Sequence, residues 1–318
     1  MMPIAFAIFA LLALTTLRLR EYRSILTPDA QAYSEMATGD AVPAPYCWRV
    51  GYPAVSRLAA RLSGFKTVPV MRVVGLSSYL CVLPATIWLA CSMGASLAYA
   101  VGAAFLLMAS PSMFSYPIVI PYLADCLAAP LAVAASALVM QGHPWIALIV
   151  MLALGFVKES YLAMAAAFTL VLNPLLWWVP VPGLAAHLVL RHKTKRVDPP
   201  DNRKELATPF RTVSKLKRVG FWFSNSNSLR QAGAAPYVFT WYAPGIVFLW
   251  PVVAVCVLAW LQAHIGVDHD RLIWQSGPWL LAALVTVVPA GVLLVTCLVS
   301  MWCPWQEIQS EKSGADHG

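Results

Sequence analysis

Residues 27–52 read TPDAQAYSEMATGDAVPAPYCWRVGY and form a polar stretch in a chain that is otherwise poor in charge. Thr27 can cap a short helix with Pro28 at its first position and Asp29 in its first turn. The helix dipole favours a carboxylate at that place. Tyr33 lies four residues further on and shares the face of Asp29. The stretch therefore predicts a short helix that presents a carboxylate, although many capped helices have no further role.

The residues after this helix predict an extended connection and then an interfacial helix. Gly39 is expected to end the first helix, and two prolines then extend the chain toward Arg49. Within residues 53–62, three apolar side chains, Val55, Leu58 and Leu62, recur along one stripe, and two arginines lie on another face. This pattern is typical of a helix lying in a membrane interface.

The composition places most of the chain in a bilayer. Of the 318 residues, 60% are hydrophobic and 11% are charged, whereas soluble domains carry about 25% charged residues. Residues 1–17 lack a basic region and a cleavage site before Arg18, so we expect an uncleaved anchor. The seven cysteines form no C-x-x-C pair, and we see no P-loop or G-x-G-x-x-G motif. Disulfide, zinc and nucleotide-binding frameworks are therefore not indicated.

Apolar runs predict an all-α polytopic membrane protein of about eight transmembrane helices in one domain, 1–318. A long first outer loop, 18–66, would contain the short and interfacial helices. A break near Gly94 divides residues 70–109 into two spans, and a span from about 118 to 140 would carry Asp125 seven residues inside it. The last two spans are expected at about 237–261 and 278–302, and the tail 306–318 is expected to be disordered.

One segment decides the predicted sidedness. Residues 191–236 contain eleven Lys and Arg and three acids, so the positive-inside tendency places them in the cytoplasm. If Lys158 and Glu159 form a turn between two short helices, both termini are cytoplasmic. Four segments would then share the outer face: 18–66, 110–117, 157–160 and 263–277. A single span over 145–172 would instead put these two charges at mid-bilayer. The cations of the first loop favour the inside, contrary to this arrangement.

Charged residues near the outer ends of spans are the candidate functional residues. An unpaired Asp in a span costs about 2.5–3.5 kcal/mol on insertion scales, so Asp125 should have a partner or line a wet cavity. Lys158 could be that partner, which is a purely structural interpretation. Alternatively, Lys158 could face a phosphate while Glu159 holds an arginine. Asp268 and Arg271 lie in a short late loop, where solvation alone could explain them. The histidine spacing indicates no zinc site.

Together these motifs resemble the GT-C superfamily of membrane glycosyltransferases, which use polyprenyl-phosphate-linked sugars. PDAQAYSEMATG at 28–39 is similar to the family's D-x-x-x-Y-x-x-(apolar)-A-x-G form, and APYCWRVGYP at 44–53 to its aromatic-x-x-Arg-x-x-x-Pro stretch. Asp125, Lys158–Glu159 and the D-x-x-R form at Asp268 and Arg271 also match in order. The first loop lacks the family's frequent D-x-D or E-x-D pair, which makes metal binding there an open question.

The resemblance implies an inner-membrane enzyme that moves a sugar to an acceptor on the outer face. Asp29 would be catalytic, and the substrate-binding residues would be Tyr33, Arg49, Asp125, Lys158, Glu159, Asp268 and Arg271. A divalent cation, Mg²⁺ or Mn²⁺, is a candidate cofactor. Membrane lipid and the lipid-linked sugar are the expected partners, with no nucleic acid. The bottom-up chemistry agrees, because sugar transfer needs a carboxylate base and cations for the departing phosphate.

Two other classes of function remain open on the sequence. A polytopic transporter or lipid flippase would also use intramembrane acids and lysines, but such proteins usually show repeats and matched broken helices. We find no internal repeat. A non-catalytic assembly protein is the third class, and it would not need acids converging on one face. The sequence indicates neither the sugar, the acceptor nor the stereochemistry of transfer.

Overall fold

The computed structural model describes residues 28–42, 46–109, 121–194, 235–265 and 275–300. Within these ranges the chain is all-helical and contains no strand, as the sequence predicts. The α-helices of this part of the chain are α1 (Pro28–Thr38), α2 (Gly51–Ser63), α3 (Thr67–Leu80), α4 (Val82–Ser92), α5 (Leu97–Ala109), α6 (Asp125–Met140), α7 (Pro144–Val157), α8 (Glu159–Leu172), α9 (Val181–Lys193), α10 (Ala235–Tyr242), α11 (Leu249–Ile265), α12 (Gly277–Leu284) and α13 (Ala290–Ser300).

Helix α1 has the form that the sequence predicts. It begins at Pro28 and has Asp29 in its first turn. Gly39 follows its last residue with a φ of +113°, a conformation that glycine adopts without the steric cost of a side chain. Thr27, the predicted cap, lies outside the described residues. The position of Asp29 at a helix start is therefore confirmed.

Helix α2 carries the predicted apolar stripe on its outer surface. Val55, Leu58 and Leu62 are exposed, Leu62 to 81%. On another face, Arg57 donates from Nε to the carbonyl of Ala37 at 3.1 Å and from Nη2 to the carbonyl of Met36. Both carbonyls lie in the last turn of α1, where backbone acceptors lack intrahelical partners. Arg57 thus joins the two helices, and the apolar stripe stays unburied.

The predicted helix breaks in the middle of the chain are confirmed. Gly94 has a φ of +97° between α4 and α5. Lys158 separates α7 from α8 with an extended backbone, φ −162° and ψ 119°. The alternative of one continuous span over 145–172 is therefore wrong. Two short helices meet at Lys158, and Glu159 is the first residue of the second.

Three predicted spans have a different local structure. Asp125 is the first residue of α6, not a residue well inside a helix, because residues 121–124 form turns. The span predicted over 237–261 is interrupted between α10 and α11, where a 3-10 turn occupies Ala243–Gly245. The span predicted over 278–302 is interrupted between α12 and α13, before Pro289. Proline has no backbone N–H to donate and interrupts a helix in which it stands. A proline lies in each of the last two interruptions, which explains why the helix stops there.

Helix lengths give limited support for membrane crossing by single helices. In the described chain, one continuous helical stretch, Thr67–Ser92, is long and apolar enough to span a bilayer by length and composition. Six further apolar helices have 10–17 residues. At a rise of 1.5 Å per residue these reach about 15–26 Å, less than a hydrocarbon core of about 30 Å.

The course of α9 contradicts one part of the predicted topology. Near its start, Trp178 packs against Trp145 of α7, with ring centroids 4.5 Å apart. Near its end, Arg191 lies over the ring of Trp48, 4.8 Å from the centroid. Helix α9 therefore runs parallel to α7, and the basic segment begins at the same end of the bundle as residues 46–49. The sequence predicts segments 18–66 and 191–236 on opposite faces of the membrane. For Arg191, in the last turn of α9, this prediction is wrong, because its side chain lies against Trp48 of the first segment.

Charged side chains from several helices meet at this end, which we call the charged end. They are Asp29, Arg49, Arg57, Asp125, Lys158, Glu159 and Arg191. The connections at the opposite end, 93–96, 141–143 and 173–180, contain no Asp, Glu, Lys or Arg. The bundle is therefore strongly polarised along its long axis.

Helices α7 and α9 cross at two glycines, which gives a first prediction. A Cβ added to Gly183 would lie 2.3 Å from the carbonyl oxygen of Met151, and one added to Gly155 would lie 2.3 Å from that of Gly183. Gly183→Ala must push two backbones apart, so we expect a loss of about 1–3 kcal/mol or more in the free energy of unfolding. Thermal unfolding in detergent measures it.

Gly291→Ala is the matched control, since a Cβ there meets nothing within 4 Å in α13. Alanine favours a helix over glycine by about 1 kcal/mol or less. Equal melting temperatures for the two variants would show that the helix crossing is not this close.

Candidate active site

Asp29 is held at the charged end by an aromatic pair. The hydroxyl of Tyr46 donates a hydrogen bond to Oδ1 of Asp29. Tyr46 begins a 3-10 turn, Tyr46–Trp48, and its ring packs edge-on against Tyr33 with centroids 5.4 Å apart. Asp29 is half-buried, and its second carboxylate oxygen has no hydrogen-bond partner within the described ranges. The carboxylate is therefore oriented through one of its oxygens.

Arg49 links the first loop to the start of α8. Its Nε donates to Oε2 of Glu159 at 3.0 Å, and its Nη2 donates to Oε1, so the ion pair is bidentate. Nη1 donates to the hydroxyl oxygen of Tyr33 at 3.1 Å. Bidentate pairs are among the stronger and more directional contacts in proteins. The predicted pairing of Glu159 with an arginine is confirmed, and that arginine is Arg49.

Burial and the neighbouring groups together set the protonation states of Tyr33 and Arg49. Burial raises the pKa of Tyr33 to about 12, partly opposed by the Arg49 guanidinium. Burial alone would lower the pKa of Arg49, but Glu159 and Tyr33 raise it well above its usual value. At neutral pH Tyr33 is therefore a protonated phenol. Its oxygen accepts from Arg49, so its own proton is available to an acceptor.

A second buried group surrounds Asp125. Nζ of Lys158 lies 2.6 Å from Oδ2 of Asp125, and Nε2 of Gln275 donates to Oδ1 at 2.6 Å. The two ionic residues are 3% and 4% exposed. The ammonium also lies 5.8 Å from the ring centroid of Tyr161. A buried acid needs such partners, and the structural pairing of Asp125 with Lys158 is the one found.

The predicted site residues divide into two sets. Asp29, Tyr33, Arg49, Asp125, Lys158 and Glu159 come together at the charged end. Asp268 and Arg271 lie outside the described residues. Of the three cations expected to hold phosphate, Arg49 and Lys158 are already in ion pairs and Arg271 lies outside the described residues. Lys158 is too buried to meet a lipid phosphate in this arrangement. Arg49 retains two of its five N–H donors.

Sequence reasoning missed two members of the cluster. Tyr46 stands in the quoted aromatic stretch at 44–53, and its ring could have been matched with Tyr33 and Asp29. No sequence motif pointed to Gln275, because a single glutamine before an apolar segment belongs to no recognisable pattern. Within the described ranges no three His, Cys, Asp or Glu side chains lie close enough to hold a metal ion.

No protein-family model, curated protein or solved structure matches this chain. The chemistry of the charged end is therefore interpreted from its own groups. It offers an oriented carboxylate on Asp29, a phenol donor on Tyr33 and a guanidinium on Arg49 with spare N–H groups. This set can take a proton from a hydroxyl and hold an anionic oxygen.

Proposed function

We propose that the chain is a polytopic membrane glycosyltransferase that uses a polyprenyl-phosphate-linked sugar. One observation carries the proposal: the segments that resemble GT-C motifs in order, at 29–33, 46–49, 125 and 158–159, contribute side chains to two groups that adjoin at Lys158 and Glu159. Motif matches scattered by chance along 318 residues would have no reason to converge. The structural alternative, a network that only ties helices together, accounts for Asp125 and Lys158 but not for the half-exposed Asp29.

A bilayer location is supported by the apolar surface of the bundle. Large apolar side chains are exposed along several helices, among them Trp145, Ile149, Leu188 and Trp250. Soluble proteins rarely expose large contiguous apolar patches. The stripe on α2 adds a surface suited to the interface. In the proposal, the lipid tail of the donor lies along these surfaces.

The proposed reaction is displacement at the anomeric carbon of the sugar. An acceptor hydroxyl oxygen forms a bond to that carbon, and its proton passes to Asp29. The bond from the carbon to the polyprenyl phosphate oxygen breaks, and the phosphate leaves with the electron pair. The spare N–H donors of Arg49 and the Tyr33 hydroxyl are placed to bind an anionic oxygen, since guanidinium and phosphate are complementary. Lys158 acts through Asp125 by fixing the start of α6.

We place this reaction at the outer face of the cell membrane, as the resemblance implies. On this account the cations of the charged end serve lipid phosphates. The positive-inside tendency alone would put the same end in the cytoplasm. A measurement of the protein's orientation in the membrane can therefore reject the proposal. The prediction needs a background without the seven native cysteines and single cysteines at Gln31, His192 and Gln141. In intact cells, an impermeant thiol reagent should label the first two and not the third.

Each labelling outcome has a definite meaning. The proposal predicts equal labelling at 31 and 192, because α1 and the end of α9 share the charged end. Labelling of position 141 alone would show that the charged end faces the cytoplasm. It would rule out an acceptor on the outer face. Permeabilised cells provide the control, since all three cysteines should then react.

A transporter or flippase is the second candidate, and the interrupted helices favour it. Breaks at Lys158, at Ala243–Gly245 and before Pro289 resemble the discontinuous helices that bind ligands in transporters. The discriminating assay offers proteoliposomes a panel of polyprenyl-phosphate sugars. Transfer of the sugar to an added acceptor supports the enzyme, whereas movement of an intact donor between leaflets supports the flippase.

A further inference from the structure

Helices α2 and α3 form a helical hairpin whose base is fastened to the bundle. At the base, the hydroxyl of Tyr52 lies within hydrogen-bond distance of two carbonyl oxygens, 2.8 Å from that of Met71 and 2.5 Å from that of Pro121. A Cβ added to Gly51 would lie 2.8 Å from a side-chain carbon of Val157, so the start of α2 packs closely on the end of α7. The base of the hairpin therefore lies beside the α7–α8 junction.

The opposite end of this hairpin, residues 58–66, is exposed, and we call it the hairpin tip. Gly64 follows the last residue of α2 with a φ of +73°, a turn that glycine makes without steric cost. The apolar residues Leu58, Leu62 and Phe65 are 58%, 81% and 74% exposed. The first two are four residues apart and so lie on one face of α2. The tip therefore presents an apolar face that the described part of the chain leaves uncovered.

The hairpin tip also carries cations and no acid. Arg61 lies three residues after Leu58, at the edge of the apolar face, and Lys66 stands in the connection to α3. Both residues are exposed, and no carboxylate of the described residues forms an ion pair with either. Residues 50–80 contain four Lys and Arg and no Asp or Glu. An uncovered apolar face and uncompensated positive charge thus occur together.

This combination is complementary to the surface of an anionic bilayer. An amphipathic helix binds such a surface by burying its apolar face at the headgroup boundary, while cations at the edge of that face reach lipid phosphates. Each Lys or Arg close to the surface adds to the attraction. A symmetric contact between the tips of two copies would instead bring the same cations together, and like charges repel each other.

We propose that the hairpin tip docks on a bilayer surface that contains anionic glycerophospholipid. The three apolar side chains lie at the boundary between headgroups and acyl chains, and Arg61 and Lys66 bind separate phosphates. Arg57 joins α2 to the last turn of α1, so the docked hairpin also sets the depth of α1 at the membrane. The inference shares its bilayer location with the proposed function but uses none of the residues assigned to sugar transfer.

The test places an environment-sensitive fluorophore on Leu62→Cys in the full chain, in a background without the seven native cysteines. The protein is purified in a neutral detergent and reconstituted into liposomes. Lipids brominated on their acyl chains quench a fluorophore that lies in the bilayer. We expect quenching in phosphatidylcholine liposomes that contain phosphatidylglycerol and much less in phosphatidylcholine alone. High salt should reduce the difference, because it screens exposed charges.

Two exposed lysines provide matched charge variants of this labelled protein. Lys66→Gln should raise the phosphatidylglycerol content needed for half-maximal quenching by about 5-fold, because one cation near an anionic surface contributes about that factor. Lys193→Gln removes the same charge at the exposed end of α9 and should change that content by less than about 2-fold. Equal effects of the two variants would overturn the proposal in favour of general charge attraction.

A fluorophore on Ile149→Cys separates a failure of docking from a failure of the proposed function. Ile149 is an exposed residue of α7, and it should be quenched in both lipid mixtures if the bundle lies in the bilayer. Quenching at 149 but not at 62 would overturn the docking alone. An absence of quenching at both positions would reject the bilayer location as well.

Two further results at position 62 would contradict recognition of anionic lipid. Equal quenching in the two lipid mixtures would show that the headgroup charge plays no part. A fluorophore that is shielded from aqueous iodide but is not quenched by brominated lipid would show that a second copy of the chain covers the tip. Either result would overturn the proposal.

Discussion

Lys158→Met is expected to lower the free energy of unfolding by about 3–5 kcal/mol, the usual cost of leaving a buried charge without its partner. The ammonium lies 2.6 Å from Asp125 in a place where both residues are almost fully buried. Methionine has a similar length and fills the same space, so lost packing contributes little. Gln275 still donates to Asp125, but an amide does not neutralise the carboxylate. Thermal or chemical unfolding in mixed micelles measures the change.

The double variant Lys158→Met with Asp125→Leu separates the pair from its surroundings. Removing both charges should restore most of the lost stability, because an apolar pair often replaces a buried ion pair at little cost. The resulting coupling energy should be at least about 2 kcal/mol. An unchanged stability in the single variant, or additive losses in the double, would show that the pair does not hold α6 to the α7–α8 junction.

The same single variant tests the alternative prediction from the sequence, in which Lys158 faces a phosphate. If Lys158 holds the donor phosphate, the variant should lose donor use while remaining well folded. The geometry predicts instead that the variant loses stability and keeps donor binding, because the ammonium is already bound to Asp125. Donor binding by the folded fraction of Lys158→Met should therefore stay near that of the unchanged protein.

Local sequence signals predicted the elements that depend on backbone chemistry. Pro28 and Gly39 set the limits of α1, and Gly94 separates α4 from α5, because proline and glycine act on φ wherever they stand. The amphipathic stripe of α2 followed from helical spacing alone. These features need no knowledge of distant parts of the chain.

Features that depend on tertiary contacts were predicted less well. Apolar composition suggested long late spans, but it does not show whether a helix continues through a residue such as Pro289. The direction of α9 was missed because a helix that is apolar at its start and basic in its last turn does not show from its own sequence which helix it packs against. Only the contacts of Trp178 and Arg191 reveal its direction. Charge counting then placed Arg191, at the end of α9, on the face opposite the first loop, whereas Arg191 lies beside Trp48.

The site was predicted as a set of residues but not as a set of contacts. Asp29, Tyr33 and Arg49 were named from short motifs, and they do lie together. Which cation meets which acid could not be read from the sequence, since Lys158 and Glu159 are adjacent and point to different neighbours. The structure assigns Lys158 to Asp125 and Glu159 to Arg49.

Asp29→Asn is expected to reduce sugar transfer by about 100-fold or more, as loss of a general base commonly does. The amide keeps the shape of the carboxylate and can still accept a hydrogen bond from Tyr46. It loses only the charge and the basicity. A purely structural Asp29 would therefore tolerate the change at a cost of about 1 kcal/mol or less, as for a cap or helix-dipole contact. Glu35→Gln, on the same helix, is the matched control and should transfer normally.

The decisive measurement is transfer of a labelled sugar from polyprenyl phosphate by purified Asp29→Asn protein in liposomes, beside donor binding by the same sample. Our account predicts that transfer falls by about 100-fold or more while donor binding and melting temperature stay near those of the unchanged protein. Near-normal transfer by the Asp29→Asn protein would contradict it and remove the carboxylate from the mechanism.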